Sequence, residues 1–161
     1  MALRWVQIRK IDFIVGTHSG AQSVFAVSGE KAVNLTAAVP EIGQDLTALT
    51  QDATLLERAQ SAAEAAPSVA LGDIVPALPI SAPDTIICLG LNYIEHIKEG
   101  GYDIPDYPAI FMRSKQSIMA AGQPMVRPSC SDKLDYEAEL MMIIGKGGRH
   151  IAEEDALDHI F

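Results

Sequence analysis

The chain has 161 residues, enough for one ordinary domain or for a small domain and part of another. Its 21 acidic against 12 basic side chains leave a net charge of −9, which argues against nucleic acid or an anionic membrane as partner. An acidic small-molecule substrate is still compatible with that field, because a local cation overrides it. Hydrophobic residues make up 48%, sufficient for a core, and no apolar run approaches the roughly eighteen residues of a membrane span. The start of the chain, Met1 to Val6, carries no apolar signal-peptide segment. Cys88 lies in an apolar run and Cys130 in a polar one, so we expect two reduced thiols and a cytoplasmic location.

In chain order, short apolar runs come first: Trp5 to Ile8, Phe13 to Val15 and Ser23 to Val27. Ser28-Gly29 then turns the chain back through Lys31 to Leu35, which predicts a hairpin. Residues 41–66 carry Leu46, Leu49, Leu55, Leu56 and Ala59 on helical spacing and stop before Pro67. Pro76, Pro79 and Pro83 mark a linker, placing a domain boundary within 76–84. Thr85 to Gly90 reads as a strand closed by a glycine turn and followed by a helical turn over 93–99. If helical, residues 93–99 put His96 and Glu99 on one face at i and i+3. A carboxylate beside an imidazole orients it and strengthens it as a base toward water. An exposed ion pair on a surface helix carries the same pattern. Gly100-Gly101 reads either as a hinge beneath that turn or as an ordinary loop.

The segment Asp135 to Gly145 reads as a strand whose back half is continuously apolar. Alternation then puts Glu137 and Glu139 on one face with Met141 and Ile143, and Met141 and Met142 read as core filler. Two carboxylates at ~4 Å repel by about 4 kcal/mol at an effective dielectric of ~20. A divalent cation removes the conflict, since hard oxygen donors suit Mg2+, Mn2+ or Ca2+. A solvated strand end is the competing reading. Gly145 to Arg149 reads as a turn into a helix near Glu153, not as a phosphate loop; His18, His150 and His159 read as surface residues.

Five pieces in order resemble the fumarylacetoacetate hydrolase family: I-I-C-L-G-L-N-Y-I-E-H-I-K-E (86–99), Y-P-A-I-F-M-R (107–113), G-Q-P-M-V-R-P (122–128), D-Y-E-A-E-L-M-M-I-I-G-K (135–146) and E-D-A-L-D-H-I-F (154–161). The G-x-N-Y-x-x-H-x-x-E and D-Y-E-x-E-L pieces are the most specific. The resemblance implies an α+β protein. A small α/β N-terminal domain with hairpin and helix (1–78) would precede the first part of a mostly β, roll-type catalytic core (79–161), incomplete here.

The resemblance also implies roles. Glu137 and Glu139 fall on the family's metal-binding glutamates, and His96 and Glu99 on the dyad that activates water. Arg113 or, alternatively, Lys115 falls where relatives carry a cation near the substrate. Leu91 stands where some relatives have an arginine. A third acidic ligand is expected in an Asn-Asp motif beyond Phe161, which makes the chain a fragment of a larger enzyme. The implied activity is metal-dependent cleavage of a carbon–carbon bond in a 2-oxo or 1,3-diketo acid of the fumarylacetoacetate or acylpyruvate type. Decarboxylation, isomerisation or hydration of a related 2-oxo acid, and a non-catalytic fragment, are the alternatives. The implied partners are a small acidic oxo-acid and a second copy of the chain, with Mg2+, Mn2+ or Ca2+ as cofactor, no nucleic acid and no membrane.

Overall fold

The computed structural model describes residues 11–134 and 139–161. The described residues divide into two compact units, one made of 11–80 with 120–134 and 139–161 and the other of 81–119.

The first unit is built on a five-stranded antiparallel sheet whose strands lie in the order β4 (Ser68–Ala70), β3 (Lys31–Asn34), β2 (Ala21–Ser28), β1 (Asp12–His18) and β5 (Val75–Pro76). Strands β1 (Asp12–His18) and β2 (Ala21–Ser28) form a hairpin with His18 opposite Ala21. Its two-residue loop, Ser19-Gly20, has φ of 52° and 82°, the doubly positive pattern that matches right-handed strand twist. The second hairpin, from β2 to β3 (Lys31–Asn34), forms where Ser28-Gly29 predicts it, with Gly29 at φ 59°. The apolar run Trp5 to Ile8 lies outside the described residues.

Alternation along β2 explains the two-sided core. Val24 and Ala26 join Val15, Leu35, Ile42, Leu49 and Leu55 under the helices. Phe25 points the other way, with Ala32 and Ile74. Each large side chain fully buried here contributes about 1.5–3 kcal/mol.

Helix α1 (Leu35–Ala38) is capped by Asn34, whose Oδ1 accepts from the Ala37 amide at 2.9 Å. Thr36 Oγ1 accepts from Val24 N at 2.9 Å and donates to Gly43 O at 2.6 Å, fastening the turn to β2. The single helix expected over 41–66 is divided. A short 3-10 turn at Pro40–Ile42 comes first, then α2 (Thr47–Gln51) and α3 (Ala53–Ala65). The break has a local cause: Asp52 is extended, and its carboxylate accepts from the amides of Thr54 and Leu55 at 2.9 and 3.1 Å. The helix ends at Ala65, with Ala66 as its extended C-cap, before Pro67 as predicted.

Strands β4 (Ser68–Ala70) and β5 (Val75–Pro76) close the two edges. Part of the proline-marked linker is packed into this unit. Ala77 N donates to Val15 O at 2.8 Å, Leu46 N donates to Pro79 O at 2.9 Å, and Ile80 packs on the core.

The second unit holds β6 (Ile86–Gly90), helix α4 (Ile94–Glu99) and β7 (Ala109–Arg113). Strands β6 and β7 pair antiparallel from Ile86 with Arg113 to Gly90 with Ala109.

One expected element differs. Residues 139–143 form no strand, and Ile144 makes an isolated antiparallel bridge to Ile160. Leu140, Met141, Met142 and Ile144 are all more than half exposed, so Met141 and Met142 are not core filler. A strand needs a continuous ladder as well as an apolar run, and here backbone pairing is seen only at the end of the run, where Phe161 N donates to Ile143 O at 2.7 Å beside the Ile144–Ile160 bridge. The first unit ends in a 3-10 helix at Glu153–His159 instead of an α-helix. Phe161 then stacks on Phe13 at 6.3 Å between ring centroids.

Candidate functional site

The best-defined candidate element is the β6–turn–α4 segment. The sequence assigned its turn to Gly90, but Gly90 is the last residue of β6, and a Cβ there would meet only ordinary contacts from 3.6 Å. Leu91 makes the turn, at φ 54°, a left-handed conformation that costs a non-glycine residue about 1–2 kcal/mol. Strain of this kind clusters at functional sites.

Helix α4 is held by one buried side chain, Ile97, only 2% exposed. It is stopped by a glycine cap. Gly101, at φ 69°, donates to Lys98 O at 3.1 Å, and Tyr102 N donates to Ile97 O at 3.1 Å. That bond pair is the Schellman arrangement, so Gly100-Gly101 acts structurally as a helix terminator.

His96 and Glu99 both lie on α4 at the expected spacing, and both are exposed. No hydrogen bond joins them among the described residues. Glu95 is the acid of α4 that finds a partner, at 2.8 Å from Lys98 Nζ. The helix thus presents His96 to solvent without Glu99 orienting it.

Arg113 is exposed at the end of β7 opposite Ile86. It stands four ladder positions, roughly 14 Å, from the Gly90 end where the chain turns into α4. Lys115 is exposed at the start of a 3-10 turn, Lys115–Ser117, whose preceding Ser114 hydroxyl accepts from Gln116 N. Neither cation makes an ion pair among the described residues.

Glu139 is exposed and belongs to the first unit, whereas His96, Glu99, Arg113 and Lys115 belong to the second. Glu137 lies outside the described residues. Among the described residues no three His, Cys, Asp or Glu side chains cluster in a way that would hold a metal ion. Glu139 is the right kind of donor for a hard cation, yet one carboxylate is far short of the six or more oxygens such ions take. The described side chains do not by themselves make a metal cage.

Sequence reasoning missed a recess of about 260 Å³ in the second unit, at the Gly90 end of the hairpin. It is formed by residues 89–92 and 104–108. The signal available was the proline-flanked loop Ile104 to Pro108 leading into β7.

Comparison with known proteins decides the family. The model for the fumarylacetoacetate (FAA) hydrolase C-terminal domain matches residues 85–161. Residues 85–161 belong to the fumarylacetoacetate hydrolase family. The human mitochondrial protein named oxaloacetate tautomerase FAHD2A is 32% identical over 160 residues, 98% of this chain and 50% of that protein. A solved structure of an HpcE protein from Mycobacterium smegmatis superposes with a TM-score of 0.70 at 27% identity, covering 92% of this chain and 52% of its own. The fumarylacetoacetate hydrolase of psychrophilic Exiguobacterium antarcticum gives 0.69 at 25% identity, covering 94% of this chain and 53% of its own.

The chain spans about half the length of the relatives it matches. Its mixed α and β architecture with antiparallel sheets is that of these family structures. Among the described residues no helix is long and apolar enough to cross a membrane.

Proposed function

We propose that this chain is part of an enzyme that moves a proton on a 2-oxo acid, interconverting its keto and enol forms. The observation that carries this reading is the likeness over 98% of the chain to a protein named as an oxaloacetate tautomerase. The strand–turn–helix element that presents His96 supports it chemically. In this reading His96 takes a proton from the carbon between two carbonyl groups and a proton is returned at oxygen. Arg113 or Lys115 pairs with the substrate carboxylate.

Carbon–carbon hydrolysis is the second reading, favoured by the family's name and by the Exiguobacterium structure. There His96, with Glu99 swung against it, deprotonates a water that attacks the distal carbonyl, and the bond to the neighbouring carbon breaks to leave an enolate. Both readings need an enolate stabilised. Glu137 and Glu139 are proposed to help hold Mg2+, Mn2+ or Ca2+, which when bound supplies positive charge beside the reacting oxygens. The division at residues 78/79, a homodimer and a cytoplasmic location complete the proposal. The human relative is named as mitochondrial.

The test uses the protein with Mg2+ or Mn2+ present. Loss of enol absorbance from a 2-oxo acid reports tautomerisation, and release of pyruvate from an acylpyruvate reports hydrolysis. His96→Gln is expected to lower turnover by about 10²–10⁴-fold while the circular dichroism spectrum is unchanged. Full activity in that variant removes His96 from the chemistry.

A further inference from the structure

The first unit carries a cleft of about 470 Å³ between the loop 145–152 and the 3-10 helix Glu153–His159, and none of its residues takes part in the chemistry proposed above. Lys146, Arg149, His150 and His159 line it together with Asp155 and Asp158. Among the described residues ion pairs join Arg58 to Glu41 and Lys98 to Glu95, and none joins the acids and bases of this cleft. Nor do they gather as metal ligands, since no three His, Cys, Asp or Glu side chains among the described residues cluster closely enough. Apart from His159 Nδ1, none of these side chains makes a hydrogen bond among the described residues. Both signs of charge therefore line one hollow without neutralising each other.

The frame of the cleft is fixed. His159 Nδ1–H donates to Lys146 O at 2.7 Å, and the amides of Gly145 and Lys146 donate to His159 O at 2.9 and 3.3 Å. The imidazole lies on Gly148, where a Cβ would stand 2.8 Å from its Cε1. His150, at φ 54°, holds a left-handed conformation that is strained for a non-glycine residue. A simple anion is drawn to Lys146 and Arg149 but repelled by Asp155 and Asp158, and a simple cation meets the reverse. A small molecule that carries both charges on neighbouring atoms satisfies both sets at once, and a frame held in advance lowers the cost of ordering it.

We propose that this cleft binds a free α-amino acid, its carboxylate taken by Lys146 and Arg149 and its ammonium by Asp155 and Asp158. The volume is that of a small-molecule site, and Ile151 and Ala152 offer apolar contact to the ligand's side chain. The assignment is independent of the 2-oxo-acid reading, because an α-amino acid carries an ammonium where a 2-oxo acid has its keto oxygen.

The experiment titrates the protein with L-alanine, with propionate and ethylamine (alanine without its ammonium or its carboxylate) and with inorganic phosphate, following the imidazole signals of His150 and His159 by NMR. L-Alanine is expected to saturate these shifts with a Kd about tenfold or more below that of propionate, ethylamine or phosphate, since two charge-assisted contacts replace one. Lys146→Gln with Arg149→Gln should bring alanine to the level of ethylamine, and Asp155→Asn with Asp158→Asn to the level of propionate. All four positions are exposed, circular dichroism checks the fold, and the comparison of probes in the parent protein needs no variant. Single-sign probes that bind as tightly as alanine, imidazole signals that no probe moves, or a folded double variant that binds alanine like the parent each overturn the assignment.

Discussion

Gly16 is the position where a single added methyl tests the packing of the first unit. It lies in β1 opposite Pro76 of β5, and its φ is not in the left-handed region, so the constraint is space alone. A Cβ there would stand 2.3 Å from Ile74 Cγ2 and 2.7 Å from Val75 O. The first of these atoms is a branched methyl of a residue only 6% exposed, and the second is backbone. Neither gives way locally, so β5 must retreat.

Overpacking of this kind costs about 1–3 kcal/mol. Retreat also weakens the Ala77 N to Val15 O bond, worth about 1 kcal/mol, and uncovers part of Ile74. We expect Gly16→Ala to destabilise by about 2–3 kcal/mol. At about 2–4 °C per kcal/mol for a chain of this size, the melting temperature should fall by about 5–10 °C. Gly147→Ala is the control, since its Cβ would meet nothing within 4 Å and its φ is ordinary. Thermal denaturation followed by circular dichroism reads both. A Gly16→Ala protein melting within about a degree of the parent would refute the packing argument.

Other outcomes follow from the same geometry. Asp52→Ala removes the carboxylate that caps α3 and should cost about 1 kcal/mol in urea denaturation, whereas Asp52→Asn should lose only a few tenths. Glu41 is held below the usual carboxylate range by the Arg58 guanidinium, which donates to it at 2.8 Å. Its folded value is depressed, so the contribution of the pair is present above the ordinary glutamate range and is lost as pH falls through the lowered folded value. An NMR titration of Arg58→Ala should show Glu41 moving back up; an unmoved Glu41 refutes the pairing. Ile97→Ala should loosen α4, because Ile97 is that helix's buried residue, at a cost of about 2–5 kcal/mol. Hydrogen exchange at residues 97–102 should accelerate and turnover should fall with it.

Much of the architecture is local and was therefore legible. The apolar runs Phe13 to Val15 and Ser23 to Val27 mark β1 and β2, the Ser28-Gly29 turn marks the β2–β3 hairpin, and Pro67 marks the end of α3. The strand at Ile86 and the turn of helix carrying His96 and Glu99 follow from a short apolar run and i,i+3 spacing. The family motifs were legible for the same reason, being contiguous patterns of residue type.

Tertiary structure alone decided the rest. An apolar run such as Leu140 to Ile144 states a need for burial without naming the partner that would supply it, so its expected strand does not form among the described residues. The i,i+3 rule puts His96 and Glu99 on one face but leaves Glu99 without a hydrogen bond to the imidazole. Antiparallel pairing moved Arg113 to the far end of the hairpin, although it is close in sequence to the loop that forms the recess. Sequence order carries backbone propensity and side-chain period, which act over a few residues. Which face is covered, and which charges share a site, depends on contacts between distant segments, and only the folded chain brings those together.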